Sequence, residues 1–181
     1  MRVIAGCARG MRLEEPGGLP VRPTLDRVRE ALFSILGPRL EGAHFLDLFA
    51  GTGANGIEAL SRGAASAVFV ERNPSAAALV RRNLAKTGLH GSGRVVLLDV
   101  PRELPLVRIG ETRFDIIFAD PPHDFGDWTG LLAGLSNADL AAAQGLVVFE
   151  HEPRALVPEQ SVPWTRTRMA RYGRTALSFF S

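Results

Sequence analysis

The chain predicts an α/β fold: one mostly parallel sheet with helices on its faces and a reversed strand near the C-terminal end. Three observations carry this. Short apolar runs at 44–49, 67–71, 94–99, 114–120 and 145–150 alternate with helical stretches, the pattern that builds βαβ units. Those runs are nearly continuous in Val, Ile, Leu and Phe, as strands covered on both faces are. The last two runs, 164–170 and 174–180, have no helix between them and turn at Tyr172–Gly173, so they form a hairpin with one strand opposed to the rest.

The elements follow in order. "MRVIAG" and "RGMRLEEP" predict a short hairpin around Ala8–Gly10, and "PGGLP" (16–20) a loop. Thr24 fits a helix N-cap, with Asp26 in the first turn. Val28, Ala31, Leu32, Ile35 and Leu36 then fall on one helical face, and Gly37–Pro38 ends it. A Gly-rich turn after the 44–49 strand opens a helix that stops at Gly63. Pro74 suits a first helical turn, and Ala76 to Leu84 continue that helix until Gly88. A further helix is expected over 128–143.

The length of 181 residues fits one domain, 1–181, with residues 1–40 as a hairpin–helix extension and 41–181 as the core. No apolar run approaches the roughly 20 residues of a membrane helix. "VIAGC" (3–7) resembles a lipoprotein cleavage box, but only Val3 to Ala5 precede Cys7, against about 7–15 apolar residues in a signal segment. A cytoplasmic, membrane-free protein is therefore expected. Cys7 is the only cysteine, so no internal disulfide forms, and a small buried thiol is expected. Charge is unevenly spread. Residues 1–40 carry seven Arg against four acids and residues 151–181 five Arg against two Glu, +3 each, while 41–150 carries −4. Basic ends around an acidic centre suit a polyanion-binding surface beside a separate small-molecule site. The four histidines (44, 90, 123, 151) show no metal-ligand spacing, and no metal is expected.

"LDLFAGTGANG" (46–56) holds Gly51-x-Gly53-x-x-Gly56 between a strand and a helix, the setting a nucleotide-binding turn requires. Glu71 ends the next strand and can accept both ribose hydroxyls of an adenosine. NAD and S-adenosyl-L-methionine both fit this much. Asp47, inside the first strand, suits a cofactor with an ammonium group, whereas a pyrophosphate prefers an uncharged strand end facing the helix dipole. Asp99, at the end of the third strand, can accept from the adenine amine. A Tyr-x-x-x-Lys pair is absent, since Tyr172 and Lys86 are the only tyrosine and lysine. These favour S-adenosylmethionine, with Asp47, Phe49, Gly51, Gly53, Glu71, Arg72, Asp99 and Val100 as the candidate cofactor residues.

"FADPPHDF" (118–125) ends the fourth strand, which should lie beside the first at the point where strand order reverses. Pro121 drives Asp120 to extended geometry, and Pro121 and Pro122 fix two φ angles. Such a turn can hold a planar amine between the Asp120 carboxylate and a backbone carbonyl, with His123 stacked on the attached base. Asp120, Pro121, Pro122 and His123 are the candidate catalytic residues. Glu150, His151 and Glu152 at the fifth strand's end are expected to be a solvated or satisfied polar end.

Taken with "MRVIAG…RG", "RPTLDRVREALFSIL" (22–36), "FLDLFAGTGANGIEALSRGA" (45–64) and "VFVERN" (68–73), this turn resembles the bacterial guanine-N2 methyltransferases of small-subunit ribosomal RNA. The resemblance implies a Rossmann-like class I methyltransferase fold with a seven-stranded sheet and a reversed last strand. It also implies S-adenosylmethionine as cofactor and 16S rRNA, within an assembling small subunit, as substrate; a monomer is expected. Arg9, Arg12, Arg22 and Arg27 are then the expected phosphate contacts, followed by Arg166, Arg168 and Arg171. The family has Tyr or Phe where this chain has His123, and an apolar residue where it has Asn55. Three rivals stay open on sequence: an adenine amino-methyltransferase, a non-catalytic RNA-binding assembly factor, and an NAD-dependent oxidoreductase.

Overall fold

Strand order in the sheet is β3-β2-β1-β4-β5-β8-β7-β6 among the described residues, which are 1–15, 23–100 and 113–181 of a computed structural model. The strands are β1 (His44–Leu48), β2 (Ser66–Glu71), β3 (Gly93–Leu97), β4 (Phe114–Ala119), β5 (Ala141–His151), β6 (Gln160–Ser161), β7 (Trp164–Tyr172) and β8 (Thr175–Phe180). β1 to β5 pair in parallel, β8 runs antiparallel between β5 and β7, and the two-residue β6 adds an eighth strand to the seven expected. The chain moves outward from β1 to β3 and returns to β4, so order reverses at the β1/β4 border.

Helices α1 (Pro23–Leu36), α2 (Ala54–Ser61) and α3 (Pro74–Lys86) cover one face, where Val28, Leu32, Ile57 and Val80 meet Phe45, Phe69, Phe118 and Val148. Helix α4 (Trp128–Asn137) covers the other, with Leu131, Leu132 and Leu135 against Leu46, Ile117 and Phe149. The strands carry Val, Ile, Leu and Phe on both sides because both sides are buried. Each helix of the first face is stopped as its sequence suggests: Gly63 and Gly88 take positive φ after α2 and α3, and a 3-10 turn, Gly37–Leu40, follows α1.

Several expectations shift. The N-terminal hairpin is reduced to one bridge, Arg2 with Arg12, although the Val3 amide also bonds the Met11 carbonyl and the Gly10 amide the Val3 carbonyl. Helix α1 begins at Pro23, which puts Thr24 in its first turn rather than at the cap; proline is preset for that position. The helix expected over 128–143 ends at Asn137, because Asp139 turns left-handed at φ 50 and Ala141 pairs with Phe114. β5 thus starts four residues before Gly145, and sheet pairing outweighs the helix preference of three alanines. Cys7 is exposed, not buried: its amide bonds the Ser61 carbonyl while Ala8 takes the inward position. The "PGGLP" loop and Arg22 lie outside the described residues. No helix among the described residues is long and apolar enough to cross a membrane.

Candidate active site

The carboxyl ends of β1 to β5 open into one cleft of about 1090 Å³, the position an open α/β sheet offers a ligand. One half is lined by Phe49, Val70, Glu71, Arg72, Asn73, Leu98, Asp99 and Val100. The other half is lined by Asp120, Pro121, Pro122 and His123, with Phe125, Trp128, Glu150, His151 and Glu152 beside them. Gly126, Arg154, Ala155, Leu156, Arg174 and Thr175 complete the lining.

The glycine turn is a built structure rather than a slack loop. Gly53 sits at φ 77, and a Cβ there would come within 2.9 Å of Val80. A Cβ on Gly56 would stand 2.3 Å from the Phe69 ring, so helix α2 can approach β2 only without a side chain there. Asp47 lies beneath the turn, 1% exposed, and accepts a hydrogen bond from the Gly56 amide at 2.9 Å. Burial pushes its carboxyl up to about 8, with Asp120 and Glu71 adding to the rise. Glu71 accepts from the Gly51 amide at 2.9 Å and from the Asn73 amide at 2.8 Å, tying the turn to the end of β2. Asp47, Gly51 and Gly53 therefore stand behind the cleft, shaping it, while Phe49, Glu71, Arg72, Asp99 and Val100 face it. Asp99 lies two residues beyond β3, which ends at Leu97. Phe49 is held left-handed at φ 61, an uncommon conformation for an aromatic residue. Its ring meets Phe125 edge-on at 5.9 Å, and Phe125 meets Trp128 at 5.0 Å.

Asp120 lines the cleft and is exposed as a residue, yet desolvation of its carboxyl raises its pKa to about 6, with His123 nearby opposing the rise. His123 is 79% exposed and its Nδ1 lies 3.0 Å from a Glu152 carboxylate oxygen, so the ring stands at the rim rather than over the floor. His151 is wholly engaged: Nδ1 donates to the Glu152 carbonyl at 2.7 Å and the Ser178 hydroxyl donates to Nε2 at 2.8 Å. Burial lowers its pKa, consistent with a neutral ring. Glu150, expected to be a solvated or satisfied polar end, lines the cleft, where burial followed by the Asp120 charge pushes its carboxyl up to about 8.

Of the predicted phosphate contacts, Arg9, Arg12 and Arg27 are exposed. Arg168 and Arg171 are exposed on β7, and Arg168 lies 5.9 Å over the Phe179 ring. Arg166 is partly covered and paired to Glu159 at 2.9 Å. Among the described residues no three His, Cys, Asp or Glu side chains gather as a metal site would need.

The cleft suits S-adenosylmethionine on this chain's own features: two acids, Glu71 and Asp99, after consecutive strands, apolar walls from Val70, Leu98 and Val100, and carboxyls ready to face a cation. Comparisons agree. A hypothetical protein of Thermus thermophilus, solved as a structure, superposes with a TM-score of 0.80 at 36% identity, covering 99% of this chain and 98% of that one. SMU.776, a putative methyltransferase solved as a complex with SAH, shares the fold at a TM-score of 0.71 and 17% identity, covering 88% of this chain and 50% of that one. Ribosomal RNA small subunit methyltransferase D of Escherichia coli K12 is 34% identical over 180 residues, 99% of this chain and 89% of that one. With the family described as Conserved hypothetical protein 95 matching residues 1–181 as well, the chain belongs to that family, which its relatives identify as the small-subunit rRNA methyltransferase D family.

Proposed function

We propose that the protein transfers a methyl group from S-adenosylmethionine to the exocyclic N2 amine of a guanine in 16S rRNA, on an assembling small ribosomal subunit. The observation that carries this reading is that the Asp120-Pro121-Pro122 turn and the Glu71/Asp99 strand ends open into the same cleft. An amine gripped by the first is thereby presented to a methyl donor held by the second.

S-adenosylmethionine is the cofactor, with Glu71, Arg72, Asp99, Phe49 and Val100 around it. When bound, it supplies a methyl carbon activated by a sulfonium. The protein's own work is positional. A guanine amine is a poor nucleophile because its lone pair is delocalised into the ring. Asp120 accepts one N–H and the Pro121 carbonyl the other, which directs the lone pair out of the ring system. The two prolines keep both acceptors in one geometry, so little entropy is lost on binding. Asp120 need not take a proton before attack, since the methylated nitrogen releases one readily. The target nucleotide must leave its helix to reach the strand ends. Phe125 and Trp128 form an aromatic wall beside the turn, and His123 at the rim meets the base edge-on or stacks as it enters.

The test is labelled methyl transfer to unmodified small-subunit particles, naked 16S rRNA and tRNA, with the product nucleoside identified. N2-methylguanosine in 16S rRNA supports the reading. N6-methyladenosine would make the enzyme an adenine methyltransferase, and no transfer to any substrate would leave an assembly factor. Asp120→Ala should lower transfer by at least about a hundredfold while S-adenosylmethionine binding stays within about twofold.

A further inference from the structure

Guanine and adenine differ on the ring edge beside their amines. Guanine presents N1–H next to its N2 amine, two adjacent donors, whereas adenine presents a bare N1 lone pair next to its amine. A site that selects guanine needs a second acceptor beside the one that holds the amine.

The structure has one. β4 and β5 run parallel with Ala119 opposite Phe149, so residues 120 and 150 are the next neighbours along the ladder. Adjacent strands lie about 5 Å apart. Both residues continue the alternation of Phe118 and Val148 and project to the α1 face of the sheet. Both line the cleft. We infer that Glu150 determines specificity by accepting the guanine N1–H while Asp120 accepts from the N2 amine, so that the two strand ends read two adjacent donors. This deepens, and rests on, the guanine reading above.

The surroundings fit. Two carboxylates side by side repel, and Glu150 titrates high for that reason after burial. Two N–H donors placed across them relieve the repulsion, since each carboxylate then holds a hydrogen bond. Behind the pair, Arg29 of α1 is 5% exposed and its charge favours the ionised form of Glu150. The Arg29 Nε has no hydrogen-bond partner among the described residues, so the guanidinium is not fully consumed by Asp26, Arg2 and Glu58.

The experiment uses the full chain and an rRNA fragment carrying guanine, 2-aminopurine or adenine at the nucleotide that product mapping identifies. 2-Aminopurine keeps the amine and lacks N1–H. The wild type should prefer guanine over 2-aminopurine by about tenfold or more in kcat/KM. Glu150→Gln, whose amide can turn either oxygen or NH2 to N1, should remove most of that preference and leave S-adenosylmethionine affinity unchanged. A purely structural role would lower transfer to both bases alike, so an unchanged ratio overturns the inference while leaving guanine methylation standing. A wild type that accepts 2-aminopurine as readily as guanine overturns it too, even if Glu150→Gln does not fold. Preference for adenine, or no transfer to guanine, overturns the guanine reading and the inference together.

Discussion

Asp120 holds an N–H most strongly as an anion, and its surroundings make that anion costly. Burial raises its pKa to about 6 and His123 eases the cost. For a raised acid the ionised form is lost as pH falls through the folded value. Transfer should therefore decline below about pH 6, approaching tenfold per unit, in a kcat profile between about pH 5 and 7.5. His123→Ala should move that inflection upward by removing the opposing charge. A flat profile over this range would separate Asp120 from the rate. Asp120 and Glu71 were legible in the sequence because each closes an apolar run beside a glycine or proline signature. Glu150 was not, because its meaning depends on which strand lies next to β4 and in what register. Cys7 misled for a similar reason: a small apolar residue type gave no hint that Ala8, one position on, would point inward.

At the scale of elements, the N-terminal segment is fastened to the core through a buried carboxylate. Glu58 of α2 is 0% exposed and accepts from the Ile4 amide at 2.7 Å and the Ala5 amide at 3.0 Å. It also holds Arg62 at 2.7 Å and lies 3.9 Å from Arg29 of α1. Gly6 crosses α2 so closely that a Cβ would fall 1.7 Å from the Ser61 carbonyl oxygen, at φ 85. Asn83 of α3 clasps the other strand, accepting from the Glu14 amide and donating to its carbonyl. Glu58→Ala leaves two amides and the Arg62 guanidinium without their acceptor. It should cost about 3–5 kcal/mol in denaturant-induced unfolding, and a loss under about 1 kcal/mol would show that the segment is held by its apolar contacts instead. "RPTLDRVRE" thus has an inward and an outward side. Arg29 points inward and fastens α1, while Arg27, two residues earlier, is exposed. The inward turn of Arg29 is visible only from the Arg2 carbonyl and Glu58 it meets, just as the end of α4 needed knowledge of the β4–β5 pairing.

Across the whole molecule, the same sheet that aligns the strand ends also sorts the charge. The acidic middle of the chain supplies Glu71, Asp99, Asp120 and Glu150 to one cleft, and the basic ends supply exposed arginines on the N-terminal segment, α1 and β7. Affinity for an rRNA fragment should fall linearly in log–log form with salt, at about 0.7 per phosphate contact for single strands. Replacing Arg9, Arg12 and Arg27 together by Ala should reduce that slope by about 2 and leave S-adenosylmethionine binding unchanged. An unaltered slope would place the phosphate contacts elsewhere, with the exposed arginines of β7 next in line. No dependence on salt at all would mean that the partition of charge does not serve nucleic acid.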